Sequence, residues 1–158
     1  MNTIIKLATG EIVKFPCIVK SRKTEKLVLF VAERIGTILE GNFWKNGNEM
    51  GLCYKTFVPV SDPEFWEIAK EPITITFKSS HVFTGRNFPR NEDGKLADFR
   101  CVARNIANNE IALFPDVMRG TIIGKCPKNR LGYYFATPDF DHWQILEEIT
   151  ITFDSGYI

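Results

Sequence analysis

The sequence lacks the residue patterns that mark the common enzyme sites. It contains no Gly-x-Ser-x-Gly nucleophile elbow, no Gly-x-Gly-x-x-Gly fingerprint and no Walker loop for phosphate. Ser79, Ser80 and His81 are consecutive, but no neighbouring segment resembles the oxyanion loop that a serine nucleophile requires. We therefore predict that the chain is not an enzyme and has no catalytic residues.

Metal-ligating residues are also scarce. There are two histidines, His81 and His142, and the four cysteines form no Cys-x-x-Cys pair. The spacing typical of a zinc site is therefore missing. Cys17 and Cys101 lie within apolar strand patterns, and we interpret them as small core side chains. We predict no metal site, no cofactor and, for a cytoplasmic chain, no disulfide.

A large excess of one charge is absent as well. Lys and Arg number 20 and Asp and Glu number 19, which leaves a net charge of +1. A sequence-independent grip on nucleic acid needs clustered cations instead. No apolar run approaches the length of a membrane span, and the N-terminus lacks the apolar core of a signal peptide. We expect a cytoplasmic protein that binds neither a membrane nor nucleic acid.

What the sequence does contain is an internal repeat, which decides the fold class before any other pattern. Residues 73–77 and residues 149–153 both read Ile-Thr-Ile-Thr-Phe. The segments that begin at Phe15 and Phe99 match as Phe-Pro-Cys-Ile-Val-Lys and Phe-Arg-Cys-Val-Ala-Arg, at an offset of 84 residues (99 − 15). The same offset continues for more than 20 residues, so the match covers several strands.

A hairpin that is shorter in the second copy then shifts the alignment. Beyond it the paired residues are Tyr54 with Tyr133, Pro59 with Pro138, and Trp66 with Trp143. We predict a first β repeat at residues 1–80 and a second at 81–158. Residues common to both copies are interpreted as requirements of the fold, and function is expected where the copies differ.

The apolar pattern is typical of strands almost throughout. In Ile-Thr-Ile-Thr-Phe the apolar residues alternate with threonines, which is the period of a half-buried strand. Further strands are predicted at residues 3–7, 12–20, 26–32, 36–40 and 54–58, and helical turns only at 63–69 and 140–146. The prediction is an all-β fold of two tandem SH3-like five-stranded barrels packed side by side.

The copies differ most in two loops. The second copy inserts about nine residues, in which Arg86, Arg90 and Lys95 surround Phe88; such a loop could clamp a phosphate and stack a base. The first copy enlarges a hairpin that carries Trp44 and Lys45, opposite Lys128 and Arg130 in the second. The alternative for Phe88 and Trp44 is that they fold back as lids. The candidate ligand-binding residues are Trp44, Lys45, Tyr54, Arg86, Phe88, Arg90, Lys95, Lys128, Arg130 and Tyr133.

Two of these candidates and one acidic cluster have a second interpretation. Tyr54 and Tyr133 are either core residues with a hydrated hydroxyl or stacking surfaces for a ligand. Asp139, Asp141 and His142 are close in sequence and could suggest a metal, but the first repeat has no histidine at this place. We therefore predict that these acids cap a turn.

The shared residues also resemble a known group of proteins. Phe15-Pro-Cys, Gly36-Thr-Ile, the hairpin from Gly51 to Tyr54, a tryptophan and Ile-Thr-Ile-Thr are similar to the pattern of small uncharacterised β proteins of tailed bacteriophages, here in tandem duplicate. The second copy departs from the pattern in having Arg100 where the first has Pro16. The resemblance implies a phage origin and assigns no functional residue.

A small, non-enzymatic, cytoplasmic phage protein is expected to counteract host antiviral defence. The first hypothesis is a sponge that sequesters a nucleotide immune signal in the host cytoplasm without cleaving it. The alternatives are a protein-binding inhibitor of a host nuclease or CRISPR-type effector, and an accessory protein of phage DNA metabolism. The expected partner is a nucleotide-type small molecule or a host defence protein, and a homodimer is left open.

Overall fold

The computed structural model of the chain describes residues 4–24, 26–40, 49–95 and 99–154, with the side chain of Lys128 outside that description. Within these ranges the fold is all-β, and the only helical pieces are 3-10 turns at Lys128–Arg130 and Phe140–His142. The strands are β1 (Ile4–Lys6), β2 (Ile12–Lys14), β3 (Cys17–Ser21), β4 (Leu27–Phe30), β5 (Gly36–Glu40), β6 (Cys53–Tyr54), β7 (Trp66–Ile68), β8 (Ile73–Lys78), β9 (Cys101–Asn105), β10 (Ile111–Asp116), β11 (Arg119–Gly124), β12 (Tyr134–Ala136), β13 (Trp143–Leu146) and β14 (Glu148–Phe153).

The chain forms two compact units whose limits differ from those of the sequence repeats. Unit 1 comprises Met1–Thr74 and Thr152–Ile158, and unit 2 comprises Ile75–Ile151. The chain therefore passes from one unit to the other inside β8 and returns inside β14. Both strands contain the repeated Ile-Thr-Ile-Thr-Phe, and they pair with each other in a two-stranded sheet.

The threonines of this two-stranded sheet are exposed and bonded in cross-strand pairs. In unit 1 the Oγ1 atoms of Thr74 and Thr152 lie 2.8 Å apart, and in unit 2 those of Thr76 and Thr150 lie 2.8 Å apart. Such Thr–Thr pairs contribute roughly 0.2–1 kcal/mol each relative to alanines. The threonines of the repeated motif thus help to hold β8 and β14 in register.

Each unit contains an antiparallel five-stranded sheet with the same order of corresponding strands. In unit 1 the order is β6-β5-β4-β3-β7, and in unit 2 it is β12-β11-β10-β9-β13. Cys17 lies opposite Phe30 and Cys101 opposite Phe114, so the register is also the same at the offset of 84 residues. Even the irregularity beside Leu27 in β4 recurs beside Ile111 in β10. The structure supports two units with a repeated architecture.

The sheets are open, which differs from the predicted barrels. Among the described residues, the first and last strands of each order are not hydrogen-bonded to each other. A closed barrel requires that last pairing. The all-β, two-sheet architecture is therefore established, and the closer assignment to an SH3-like barrel stays a prediction.

The core of each unit is formed by alternate residues of its sheet, as the period of two predicts. Unit 1 buries Cys17, Phe30 and Trp66, and unit 2 buries Cys101, Phe114 and Trp143 at the corresponding positions. The prediction that Cys17 and Cys101 are core residues is confirmed, since they are 1% and 0% exposed. Burial raises the pKa of the Cys17 thiol to about 12 and also raises that of Cys101, so neither is a nucleophile at neutral pH. All four cysteines are free.

Three features of the predicted secondary structure are wrong. Of the strand predicted at 54–58, only Tyr54 lies in a strand, β6. The predicted helical turns at 63–69 and 140–146 contain strands β7 and β13, with only Phe140–His142 in a 3-10 turn. Both strands begin with a tryptophan that faces the core, followed by an exposed residue and a buried isoleucine, and this alternation is a strand signal. The predicted strand at 12–20 is interrupted at Phe15-Pro16, where proline has no N–H for the ladder.

The alignment beyond the unequal hairpins is also corrected. Gly36 pairs with Tyr54 in unit 1, whereas the equivalent Gly120 pairs with Phe135 in unit 2. Tyr54 therefore corresponds to Phe135, and Tyr133 corresponds to Leu52. Alignment of identical residues paired Tyr54 with Tyr133. The hydrogen bonds between strands instead align Tyr54 with Phe135, two residues beyond Tyr133.

Gly120 provides a test of this register. A Cβ at Gly120 would lie 2.6 Å from Cε1 of Phe114 and 2.9 Å from Cζ of Phe135, two rings held in the core. We expect Gly120→Ala to lower the free energy of unfolding by about 1–3 kcal/mol, because overpacking forces the rings to move. The measurement is the urea midpoint. Gly124→Ala in the same strand is the control, since its Cβ would contact only the Ile151 side chain, whose terminal Cδ1 is nearest at 3.0 Å. Equal losses in both variants would contradict the assigned packing.

Candidate functional site

Two predicted binding residues, Trp44 and Lys45, lie outside the described residues. Lys128 has a described backbone in a 3-10 turn, but its side chain is outside the description. The remaining seven candidates can be placed, and the structure separates them into those that pack into a core and those that reach solvent. The candidates in question are Tyr54, Arg86, Phe88, Arg90, Lys95, Arg130 and Tyr133.

Phe88 is not exposed as its loop position suggested. Its ring is half-buried in unit 2 and lies 5.5 Å from the ring of Phe83, 5.5 Å from Phe99 and 5.3 Å from Phe140, measured between centroids. These edge-on contacts are the preferred geometry of packed aromatic rings. This packing favours the alternative interpretation of Phe88, in which its ring folds back as a lid.

The cations of the same loop reach solvent. Arg86 is 72% exposed, and its guanidinium lies 3.7 Å from Asp139 and 3.8 Å from Asp141. Exposed pairs of this kind contribute about 0–1 kcal/mol. Arg90 donates from Nη1 to the carbonyl of Gly94 at 2.9 Å. Asp139 accepts the N–H of Asp141 at 3.1 Å, as the predicted capping role requires.

A second group of candidates comes together at the hairpin between β11 and β12. The Arg130 guanidinium lies 4.7 Å above the centroid of the Tyr133 ring, and Tyr133 is 51% exposed. We call this pair the Arg130–Tyr133 platform. A cation at this distance from an aromatic face is attracted by the ring quadrupole, which favours one fixed orientation of both side chains.

Glu110 holds the Arg130 end of the platform. Arg130 donates from Nε to Oε2 at 3.0 Å and from Nη2 to Oε1 at 2.8 Å, and Asn108 donates to Oε1 at 3.1 Å. The side chain of Glu110 is 7% exposed and that of Arg130 is 40% exposed. Hydrogen bonding from Arg130 is the main reason that the pKa of Glu110 lies below its ordinary value, and it outweighs burial, which acts in the opposite direction. The pair is therefore ionised and bidentate.

Stacked rings hold the Tyr133 end. Tyr133 and Phe135 are nearly parallel at 6.4 Å between centroids, and Phe135 is nearly parallel to Trp143 at 5.7 Å. Trp143 is only 8% exposed and contacts Phe114 in the core of unit 2. The exposed ring of Tyr133 is thus the outer end of a column of rings that begins in the core. A ring supported in this way loses little conformational entropy when a ligand stacks on it.

The hairpin beside the platform is cationic. Lys125, Lys128 and Arg130 lie within six residues, and Glu110 offsets the charge of Arg130. Lys125 is exposed and adopts a positive φ of 52°. Cys126, between them, is half-buried, and burial is the main cause of its raised pKa, with the charge of Glu110 adding to it. The surface therefore combines a flat aromatic face with positive charge.

Unit 1 does not carry this platform. Leu52 N donates to Glu49 O at 2.9 Å in unit 1, and Tyr133 N donates to Arg130 O at 3.0 Å in unit 2, which makes Glu49 the counterpart of Arg130. The counterpart of Tyr133 is Leu52, and the counterpart of Glu110 is Lys26 by the offset of 84 residues. The charges are reversed and the aromatic ring is absent at these positions. Since unit 1 folds without them, the platform residues are not a requirement of the fold.

Sequence reasoning identified Arg130 and Tyr133 but missed the residue that orients them. Glu110 follows the turn after β9 and looks like an ordinary surface acid, since Arg130 is 20 residues further along the chain. Lys125 was also missed, although it shares a short basic segment with Lys128 and Arg130. Tyr54 packs against the core of unit 1, with its ring 5.5 Å from that of Phe57.

Comparisons with known proteins add no assignment. No family model, no curated protein sequence and no solved structure matches the chain. In the part of the chain that the structure describes, no helix is long and apolar enough to cross a membrane.

Proposed function

We propose that the chain is a phage-encoded, non-enzymatic protein that sequesters a nucleotide-type signal of host antiviral defence at the Arg130–Tyr133 platform. The observation that supports this most directly is a tyrosine ring that is 51% exposed and lies at the outer end of a column of rings that begins in the core. The phage origin and the host cytoplasm as its location are parts of the same proposal, as is the relation of each unit to an SH3-like barrel, which the five-stranded antiparallel order supports.

Nucleotides fit the chemistry of the platform. A nucleobase presents a π face, and stacking on an aromatic side chain contributes about 1–3 kcal/mol per base. The phosphates are anions, and Lys125 and Lys128 belong to the same hairpin. Cys126, the thiol nearest in sequence, is predominantly protonated at neutral pH because its pKa is raised. These properties favour binding over covalent chemistry.

The difference between the units implies a stoichiometry. Leu52 and Glu49 replace Tyr133 and Arg130 in unit 1, so the repeat does not duplicate the platform. We therefore expect one nucleotide per chain. Two equivalent sites in one chain would place the ligand on residues common to both repeats and would contradict the proposal.

The test is the affinity of Tyr133→Ala for a panel of cyclic dinucleotides, cyclic trinucleotides and ADP-ribose derivatives. We expect native mass spectrometry and thermal shift to identify one ligand that is released intact on heating, with about 5- to 150-fold weaker binding to the variant. Arg90→Ala is the control on the other basic loop and should retain the affinity. Loss of binding in Arg90→Ala alone would move the site to residues 86–95, and a panel without any ligand would exclude the sponge.

A protein-binding inhibitor of a host nuclease or CRISPR-type effector is the second candidate. Unit 2 exposes three large apolar side chains, Val82, Ile106 and Met118, with 58–64% of each accessible, and this candidate would use them as contact residues. A stoichiometric host protein in a pulldown, retained by Tyr133→Ala and lost when these residues are changed, would favour this candidate. The accessory role in DNA metabolism predicts a replication protein instead. The same native spectra report whether the chain forms a homodimer.

A further inference from the structure

A cleft with a volume of about 340 Å³ opens on unit 1. Its apolar wall includes Leu7, Val60 and Trp66, and its mouth is lined by Arg22 and Glu67. This volume lies at the lower end of the range for small-molecule sites, which combine apolar walls with a few placed polar groups. No residue of the Arg130–Tyr133 platform belongs to it.

Arg22 is held at the mouth of the cleft by two contacts. Its Nε donates to the carbonyl of Pro63 at 2.8 Å, and its Nη1 donates to Glu67 at 3.3 Å. The side chain is nevertheless 47% exposed. Among the described residues, the Nη2 group has no hydrogen-bond partner. A guanidinium that is oriented in this way keeps donors for a ligand and loses little entropy on binding.

This charged mouth is specific to unit 1. Arg22 N donates to Phe65 O and Ile106 N donates to His142 O, which makes Ile106 the counterpart of Arg22. Glu67 pairs with Lys20 across the sheet, and Gln144 pairs with Arg104, so Gln144 is the counterpart of Glu67. Unit 2 folds with an isoleucine and a glutamine at these places. The Arg22–Glu67 pair is therefore not a requirement of the fold.

The charges at the cleft select the type of anion. Arg22 and Lys70 contribute two positive charges, and Glu11 and Glu67 contribute two negative charges. These charges sum to zero, so the cleft offers a phosphate dianion no net attraction to offset its desolvation cost, which is larger than that of a monocarboxylate. We infer that the unit 1 cleft binds a small monocarboxylate with an apolar body, with its carboxylate on Arg22 Nη2. Its body would lie against Leu7, Ala8 and Pro63, because Val60 and Trp66 are each only 2% exposed.

The experiment is an NMR titration of the full chain with hexanoate and phenylacetate, followed through the indole N–H of Trp66. Hexanamide and phenylacetamide are the neutral controls, and inorganic phosphate is the dianion control. We expect saturable shifts with at least one carboxylate and affinities at least tenfold weaker for its amide and for phosphate. Arg22→Met should weaken the carboxylate at least tenfold, to the level of the amide.

Arg34→Met is the matched variant, because Arg34 also lies in unit 1 and donates to a backbone carbonyl, that of Phe57, but does not line the cleft. It should bind the carboxylate like the unchanged protein. Equal affinity for carboxylate and amide, equal affinity of Arg22→Met and the unchanged protein, or no saturable shift would each overturn the inference. None of these outcomes affects the platform on unit 2, whose test uses a different ligand and a different residue.

Discussion

Replacing Arg130 with methionine is expected to lower the free energy of unfolding by about 2 kcal/mol at neutral pH. The change leaves the carboxylate of Glu110, 7% exposed, with Asn108 as its remaining side-chain donor. Removing one partner of a fully buried ion pair costs about 3–5 kcal/mol. The expected loss is smaller because Arg130 is 40% exposed, so solvent already screens part of the attraction.

The pH dependence of this stability loss tests the role of Glu110 more specifically than the size of the loss. In the unchanged protein the pKa of Glu110 is lowered below its ordinary value of 4.5, so its contribution to stability is present above that value and is lost as pH falls through the folded pKa. In Arg130→Met the remaining burial raises the pKa, so the penalty is relieved when the carboxyl is protonated. The difference in stability between the two proteins should therefore narrow as the pH falls from 7 to below 4.5.

Arg119→Met is the control for this comparison. Arg119 pairs with Asp116 at 2.9 Å in the same unit, but both side chains are more than a third exposed. The free energy of unfolding of Arg119→Met should fall by less than about 1 kcal/mol. Urea denaturation at a series of pH values measures all three proteins. The difference in unfolding free energy between Arg130→Met and the unchanged protein should depend on pH. A difference that stays constant would show that Glu110 is not the group left unpaired.

Replacing Phe114 with alanine is expected to have the largest effect on stability, a loss of about 3–5 kcal/mol. Phe114 is 0% exposed, and its ring lies 5.0 Å from those of Phe140 and Trp143 and 5.7 Å from that of Phe135. The substitution removes the apolar contacts of a whole ring and leaves a cavity that surrounding rings fill only in part. It also removes the support beneath the column that ends in Tyr133.

Phe30→Ala is the matched variant in unit 1. Phe30 occupies the equivalent position, is also 0% exposed, and contacts Phe57 and Trp66. A loss of similar size is expected from the shared architecture. Met118→Ala should change stability by less than about 0.5 kcal/mol, since Met118 is 58% exposed. Urea midpoints and slopes give the three values, and a loss below 1 kcal/mol for Phe114→Ala would contradict the assigned core.

Much of the fold was predictable because its signals are local. The alternation in Ile-Thr-Ile-Thr-Phe specifies a strand with one buried face, and the repeat at a constant offset predicted the equal register of β3–β4 and β9–β10. The cysteines Cys17 and Cys101 were recognised as core residues because they lie within apolar strand patterns. Strand type and buried face follow from a period of two residues, which any short window of sequence displays.

The candidate site was only partly predictable. Arg130 and Tyr133 were recognised as chemically suitable, but Phe88 was equally suitable and is half-buried among other rings. The two cases differ in which neighbours surround each side chain, and those neighbours come from distant parts of the chain. Glu110 illustrates the same limit, because its role depends on a contact with Arg130 across two strands.

Composition and periodicity alone predicted that the chain is all-β, that it consists of two related halves, and which face of the Ile-Thr-Ile-Thr-Phe strands is buried. The three-dimensional structure was needed to show that β8 and β14, which share Ile-Thr-Ile-Thr-Phe, pair with each other, and that Tyr133 corresponds to Leu52 and not to Tyr54. The physical reason is that side-chain alternation is a property of each strand alone, whereas pairing and register are set by hydrogen bonds between strands. In this register Leu52 and Glu49 of unit 1 occupy the positions of Tyr133 and Arg130. The Arg130–Tyr133 platform therefore occurs in unit 2 and not in unit 1.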